Sequence, residues 1–239
     1  MIIDPYKIVP SGPTDPQFSS VIGLYHLDNS GANVVTGIPD IELSGTAAYS
    51  AGSPKWGSHG LDFDGSANCF ALNASPRPTT AISFGSGEYA VETYFRAPAS
   101  QPGAFSGLVV VLDCRPSTAS SWWQPTISFD NTTRALSLTL NGSVRITSSN
   151  SAVIADTWHY VAIARVSGVT RMYIDGTKVG SDFTDANTYY LEGTLLLGAA
   201  PNGAARLNGD IDEVRVTKGS GRGYSGATIP VPTEAFPNS

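Results

Sequence analysis

Charged side chains are scarce in this sequence: Asp, Glu, Lys and Arg make up only 14% of its 239 residues. The formal net charge is −6, and no run of Lys or Arg interrupts this acidic balance. An acidic surface repels nucleic acid, because affinity for phosphate backbones depends on Lys and Arg that displace counterions. The composition therefore predicts no nucleic-acid partner.

Cysteine is also rare, and the two present, Cys69 and Cys114, are too few for a disulfide-stabilised scaffold. We expect both to be buried free thiols. Long apolar runs are missing as well. The first residues, MIIDPYKIVPSGP, lack the basic and apolar segments of a signal peptide, and no later run is long enough to cross a bilayer. We expect a protein that folds in a cytoplasm without inserting into a membrane.

Helical periodicity is the third feature that the sequence lacks. Apolar residues alternate or form short blocks, and Gly (25 residues) or Pro (16) interrupts most windows long enough for a helix. The dipeptides Asn141-Gly142 and Asp175-Gly176 each separate two alternating segments, which is typical of tight hairpin turns. These patterns predict an all-β fold, with most of the chain in one sandwich or jelly roll.

One predicted strand, TWHYVAIARV at 157–166, carries apolar residues on both of its alternating faces. This pattern indicates a central strand covered on both sides. His159 on this strand is expected to be packed and hydrogen-bonded rather than catalytic, and the histidines show no zinc-ligand spacing. Further strands are predicted at 21–28, 107–115, 194–200 and 209–217.

Several motifs follow one another in a fixed order along the chain. They are LDFDGSANCF (61–70), EYAVETYFRAP (88–98), WHYVAIARVSGVTRMYIDGTKVG (158–180) and LLLGAAPN...LNGDIDEVRVTKG (195–219). In this order they resemble the motifs of laminin G-like jelly rolls in the concanavalin A-like lectin/glucanase superfamily. The resemblance implies a two-sheet antiparallel jelly-roll sandwich over residues 21–219.

The last motif continues into RVTKGSGRGYSGATIPVPTEAFP at 215–237, which is similar to the end of laminin G-like proteins of tailed bacteriophages. There, a TKG...R-Y stretch leads into an extended Pro-rich tail that ends near PFP. This chain departs from that pattern with GRGY at 221–224 and EAFP at 234–237. The resemblance implies a virion protein made in the host cytoplasm.

Three carboxylates, Asp210, Asp212 and Glu213, fall within the last predicted strand. Strict alternation predicts one face with Asp210, Asp212 and Val214, and an opposite face with Ile211, Glu213 and Arg215. Laminarinase-type β-glucanases of the resembled superfamily carry Glu, Asp and Glu on one face, where one Glu attacks and another donates a proton. Because Asp and Val occupy the outer positions here, we predict no catalytic residue. Glu213 is expected to pair with Arg215 or to accept backbone N–H groups.

Calcium is a candidate cofactor, because domains of the resembled superfamily often carry a structural calcium where the first and last strands meet. Carboxylates are suitable ligands for this ion. By that resemblance, Asp28 at the end of the first strand and Asp212 are the candidate metal ligands. The alternative is that both side chains accept backbone hydrogen bonds at turns.

Trp122 and Trp123, in SSWWQP at 120–125, are the candidate ligand-binding residues. On a strand they would point to opposite faces, so one ring would be exposed as a platform for a sugar or a protein. The alternative is a loop that folds both rings over the sandwich edge.

Both ends of the chain are Pro-rich, which favours extended conformations. Residues 1–20 are predicted to be an extended arm, and 220–239 an extended tail packed on its own domain. The candidate assembly contacts of the arm are Tyr6, Ile8 and Val9, with a disordered terminus as the alternative.

The sequence as a whole predicts a non-enzymatic structural protein of a tailed-phage virion, either a head decoration or a tail or fibre component. Its expected partners are further copies of itself, with a trimer expected for a virion appendage, and other virion proteins. A host-surface glycan is a candidate ligand. The alternative function is a carbohydrate-binding lectin-like module, while a β-glucanase-type glycoside hydrolase is disfavoured.

Overall fold

The computed structural model of the chain describes residues 14–35, 39–52, 54–73, 82–115, 124–189 and 194–239. These residues form β-strands and a single 3-10 turn at Phe18–Ser20, and the described part of the chain contains no α-helix. The predicted all-β class is confirmed.

Sheet A contains the first and last strands of the chain. Its strand order is β13-β12-β11-β6-β15-β4-β3, and β1 pairs with β15 away from this path. All of its pairings are antiparallel. The strands are β1 (Val21–Tyr25), β3 (Ala48–Ser50), β4 (Gly60–Asp64), β6 (Tyr89–Arg96), β11 (His159–Val166), β12 (Val169–Ile174), β13 (Thr177–Thr184) and β15 (Asn208–Lys218).

Sheet B has the order β10-β9-β8-β7-β14-β5-β2 and is also antiparallel. Apolar side chains of both sheets meet in one core; Phe95 of sheet A, for example, stacks on Phe129 of sheet B with ring centroids 6.0 Å apart. The strands are β2 (Ile41–Ser44), β5 (Phe70–Asn73), β7 (Leu108–Asp113), β8 (Thr126–Asp130), β9 (Leu136–Leu140), β10 (Ser143–Thr147) and β14 (Leu196–Leu197).

The outer face of sheet A carries a second apolar layer, formed with residues 220–239. Tyr94, Tyr160 and Tyr173 of the sheet are buried there beside Phe236. The hydroxyl of Tyr94 donates to the carbonyl of Pro232 at 2.6 Å, which fixes the chain across the sheet. The C-terminal segment therefore completes the covering of β11, whose opposite face contributes Val161 and Ile163 to the inter-sheet core.

Both predicted hairpins are confirmed, since β9 and β10 turn at Asn141-Gly142, and β12 and β13 turn at Asp175-Gly176. All four turn residues have positive φ, between 49° and 78°. A type I′ turn requires that conformation, which Asn, Asp and Gly adopt at low cost. The predicted free thiols, Cys69 and Cys114, are buried and unpaired.

Two predicted strands are shorter than expected. The strand predicted at 21–28 ends at Tyr25, because Leu27 and Asn29 have φ of 64° and 54°. The strand predicted at 194–200 is reduced to β14, since Gly198 has φ of 79° and lies against the ring of Phe63. A left-handed residue turns the chain away from the pleated ladder in both cases.

Candidate functional site

A β-bulge at Glu213 rearranges the acidic strand. Glu213 has φ of 51°, and the pairing of β15 with β6 shifts between Asp212 and Val214. Val214 therefore points into the inter-sheet core, as Ile211 does. The predicted face of Asp210, Asp212 and Val214 is wrong, because a bulge inserts one residue and reverses the alternation beyond it. The three carboxylates and Arg215 instead share the outer face of sheet A.

Asp210 is paired across the sheet with Arg96. The Nε of Arg96 lies 2.8 Å from Oδ2 of Asp210, on neighbouring strands of sheet A. On the other side, Asp62 of β4 is the register partner of Asp210. Burial and the nearby charge of Asp210 raise the pKa of Asp62. Asp210 thus lies between a like charge, Asp62, and its guanidinium partner, Arg96.

Asp212 accepts hydrogen bonds from a neighbouring loop. Its Oδ2 lies 2.7 Å from the backbone N of Lys55 and 3.0 Å from that of Trp56, and its Oδ1 accepts the N–H of Glu213 at 2.8 Å. Burial raises the pKa of Asp212 to about 7, and the backbone donors oppose this shift. The carboxylate serves as a cap for this loop.

The second predicted metal ligand, Asp28, holds the same loop further along. Its Oδ1 accepts the backbone N–H of Ser58 at 2.5 Å and that of His59 at 3.0 Å. Donors thus contact one oxygen of Asp28 and both oxygens of Asp212. The described residues contain no group of three or more His, Cys, Asp or Glu suited to a metal ion. The geometry of Asp28 and Asp212 fits capping of residues 55–59 better than calcium ligation.

Glu213 contacts the C-terminal residues. Its carboxylate lies 2.8 Å from Nδ1 of His26 and accepts the backbone N–H of Phe236 at 3.0 Å. His26 also contacts Oδ1 of Asn238 through Nε2, at 2.6 Å. The hydrogen bond to Glu213 raises the pKa of His26 to about 9. The expected acceptance of a backbone N–H is confirmed, whereas Arg215 bonds to Glu92 and Asp15.

A separate cavity of about 390 Å³ lies among the loops that follow β6, β8 and β10. Arg134 joins these loops, because its side-chain nitrogens donate to the carbonyls of Ala97, Pro98 and Val153 at 2.9–3.2 Å. Nothing in the local sequence, DNTTR at 130–134, distinguishes this region from an ordinary turn. The residues lining the cavity include Ala99, Asn131, Thr132, Arg134, Ser151 and Ile154.

His159 is packed and hydrogen-bonded, as predicted. Its Nδ1 contacts Asp175 at 2.7 Å, and its Nε2 accepts the backbone N–H of Ile154 at 2.9 Å. Other sequence candidates lie outside the described residues: Trp122 and Trp123 of the predicted ligand site, and Tyr6, Ile8 and Val9 of the predicted assembly site. Among the described residues, no helix has the length and apolarity needed to cross a membrane.

The geometry agrees with the comparisons with known proteins. A laminin G family model described as concanavalin A-like lectin/glucanases superfamily matches residues 64–220. The chain belongs to this superfamily. Its two antiparallel sheets form the jelly-roll sandwich of the concanavalin A-like fold. A search of curated proteins finds no match.

Several solved structures share this fold. Domain 4 of AbnA, a GH43 extracellular arabinanase from Geobacillus stearothermophilus in complex with arabinotriose, aligns with a TM-score of 0.56 and 16% identity, over 84% of this chain and 93% of that one. The binding domain of Paraclostridial Mosquitocidal Protein 1 aligns at 0.59 and 13%, over 84% and 49%. Trypanosoma rangeli sialidase in complex with sialic acid aligns at 0.60 and 14%, over 86% and 31%. The chain thus spans about half of the toxin domain and a third of the sialidase.

Proposed function

We propose that this chain is a non-enzymatic, glycan-binding structural protein of a tailed-phage particle. The proposal that the protein is not an enzyme rests on one observation: every carboxylate on the acidic strand already contacts another part of the protein. Asp210 pairs with Arg96, Asp212 caps residues 55–59, and Glu213 holds His26 and Phe236. A retaining glycosidase needs two carboxyl groups facing one bond about 5–5.5 Å apart, and an inverting one needs room for a water molecule between them. Side chains held by such contacts serve the fold.

Glycan binding is supported by the family and by its structural neighbours. One neighbour is an arabinanase domain in complex with arabinotriose, and another is the binding domain of a toxin. Their identities of 16% and 13% establish a shared fold alone. A jelly roll is well suited to binding, because its loops are held by rigid sheets.

The phage setting is supported by the sequence at 215–237, which resembles the end of tailed-phage proteins with this domain. In this role the protein decorates the head or belongs to the tail or fibre, and its partners are further copies of itself and other virion proteins.

One test addresses enzymatic activity. The purified protein is incubated with β-glucans and arabinans, and reducing sugar is measured. We expect no release above that of heat-inactivated protein. Release that Asp210→Asn or Asp212→Asn abolishes would show that the acidic strand is catalytic and would refute the non-enzymatic proposal.

A second test addresses binding and setting together. The protein is applied to a glycan array, and purified phage particles that encode it are analysed by quantitative mass spectrometry. We expect saturable binding to a defined set of glycans and a fixed copy number per particle. Glycan binding by a protein absent from particles would instead support the alternative, a lectin-like carbohydrate-binding module, which the near-complete coverage of the arabinanase domain favours.

A further inference from the structure

The cavity beside Arg134 is held rigidly by contacts between its loops. Asp130 accepts the backbone N–H groups of Thr132 and Thr133 through Oδ1, at 2.9 and 2.6 Å. The N–H of Ser151 donates to the carbonyl of Thr133 at 2.7 Å, which joins the loop after β10 to the loop after β8. Because the walls are fixed by hydrogen bonds within the protein, a ligand would bind without ordering them first.

The same walls contain unusual backbone conformations. Arg134 and Ser151 have φ of 57° and 60°, although neither is glycine. A non-glycine residue in this region costs of order 1–3 kcal/mol and persists where the surrounding structure determines it, often at ligand-binding sites.

The lining combines polar side chains with one cation, Arg134. The buried Oδ1 of Asn131 has no hydrogen-bond partner among the described residues, while Thr132 and Ser151 are exposed beside it. The guanidinium of Arg134 donates from each of its nitrogens to backbone carbonyls. Its charge is therefore directed at the loops, and the cavity retains an amide oxygen that can accept a hydrogen bond.

An apolar surface lies at the rim. The side chain of Ile154, which lines the cavity, is 59% exposed. An apolar surface beside a buried acceptor matches a sugar ring, which has an apolar C–H face and hydroxyl groups that donate hydrogen bonds.

We propose that this cavity is the glycan-binding site and that it receives the terminal residue of a neutral saccharide. The assignment rests on the glycan binding proposed above and adds a location and a ligand class. Rotation of the Asn131 side chain brings its Oδ1, which is buried in the unliganded structure, to a sugar hydroxyl that donates to it, and the C–H face of the ring packs on Ile154. The net charge of −6 disfavours acidic saccharides. The volume of about 390 Å³ falls within the roughly 300–1,000 Å³ that is usual for small-molecule sites.

The test compares substitutions that differ in location. Wild-type protein is first screened on an array of neutral, sialylated and uronic-acid glycans, and the dissociation constant for the best neutral glycan is then measured by calorimetry. Asn131→Ala should weaken binding about two- to tenfold, the effect of losing one neutral hydrogen bond. Ile154→Ala should weaken binding similarly. The matched control is Val144→Ala, on the β9–β10 hairpin, because Val144 is 58% exposed and lies away from the cavity.

Folding of each variant is checked by its melting temperature, and the site is also mapped on wild-type protein by NMR shift changes during titration. Changes centred on 130–134 and 150–156, with weaker binding by the cavity variants alone, support the assignment. Wild-type binding that Asn131→Ala and Ile154→Ala leave unchanged, or that maps to Trp122 and Trp123, overturns the site but leaves the function standing. Selective binding of acidic glycans overturns the ligand class. A wild-type protein that binds no glycan overturns both proposals.

Discussion

Arg215 and Glu92 form a two-point ion pair beneath the C-terminal segment. The Nε and Nη2 atoms of Arg215 each lie 2.8 Å from an oxygen of Glu92, and both side chains are almost completely buried. Asp15 bonds to the same Arg215 at 3.1 Å and to Arg222 at 2.7 Å. Burial alone would raise the pKa of Glu92, but the charge and hydrogen bonds of Arg215 outweigh it and lower this pKa. One charged network thus holds the segment at residues 14–20, the sheet and the C-terminal segment together.

Removing the charge of Glu92 should therefore destabilise the domain strongly. Glu92→Gln leaves Arg215 and Arg222 buried with one carboxylate fewer, and breaking a buried ion pair costs about 3–5 kcal/mol. The free energy of unfolding is measured in urea. The matched control is Asp182→Asn, because Asp182 also contacts two cations, Arg171 and Lys178, but at the surface. Surface pairs contribute about 0–1 kcal/mol each, so equal losses in the two variants would contradict the prediction.

Two truncations should have different effects on the melting temperature. The sequence predicts an extended arm at residues 1–20, but this segment contains the buried Asp15. Removal of 1–13 retains every contact described here and should change the melting temperature little. Removal of 1–18 should lower it by roughly 6–12 °C, for a loss of about 3 kcal/mol. Equal melting temperatures, confirmed with Asp15→Asn, would show that Asp15 is dispensable.

The contact between His26 and Glu213 should make stability depend on pH above neutrality. The hydrogen bond raises the pKa of His26 in the folded protein to about 9, above its value of 6.5 in the absence of the fold. The folded state then binds more protons, so this stabilisation is complete below pH 6.5 and is lost as pH rises through 9. The free energy of unfolding should decline over this range in the wild type. His26→Gln should flatten that decline, and an unchanged slope would refute the linkage.

Asp212 should also make stability depend on pH, but over a lower pH range than His26. Burial raises its folded-state pKa to about 7 from 3.8, so the folded state binds more protons between these values. Its contribution to stability therefore falls as pH rises from about 4 to 7 and is constant above that. Asp212→Asn should remove this part of the pH profile in urea unfolding, and an identical profile would show that Asp212 titrates normally.

Calcium should leave the melting curve unchanged. The acidic oxygens of Asp28 and Asp212 already accept N–H groups from residues 55–59. Melting is compared in chelator and in millimolar calcium. An ion bound at a hundred times its dissociation constant would add about 2.7 kcal/mol, and a shift that Asp212→Ala abolishes would restore calcium as a ligand of these residues.

The sequence predicts those parts of the fold whose signals are local. Asn141-Gly142 and Asp175-Gly176 identify their hairpins, because few residues adopt positive φ at both turn positions easily. Glu213 carries no such signal, and its bulge is determined by pairing of β15 with β6 and by contacts with His26 and Phe236. The faces of the acidic strand were therefore unpredictable from alternation.

The charged network around Arg215 and the cavity beside Arg134 also depend on contacts that the sequence alone does not reveal. Glu92, a charge among the apolar residues of the strand in EYAVETYFRAP, does indicate that a buried partner exists. Which residue fills that role depends on contacts across 123 positions, between Glu92 and Arg215. The cavity depends likewise on Arg134 joining separate loops, and no sequence pattern at Asn131 or Ile154 predicts that these two residues line one cavity.

The backbone N–H of Asp15 donates to the carbonyl of Ser239 at 2.6 Å, so positions far apart in sequence leave the sandwich from one point. A domain with adjacent entry and exit can be inserted into a surface loop of another protein without spreading that loop apart. Equally, the chain near Asp15 and near Ser239 could be joined by a short linker and opened at another surface turn, which gives a circular permutant. The sandwich is therefore a portable unit, which a host protein could display at a loop tip as readily as at its own terminus.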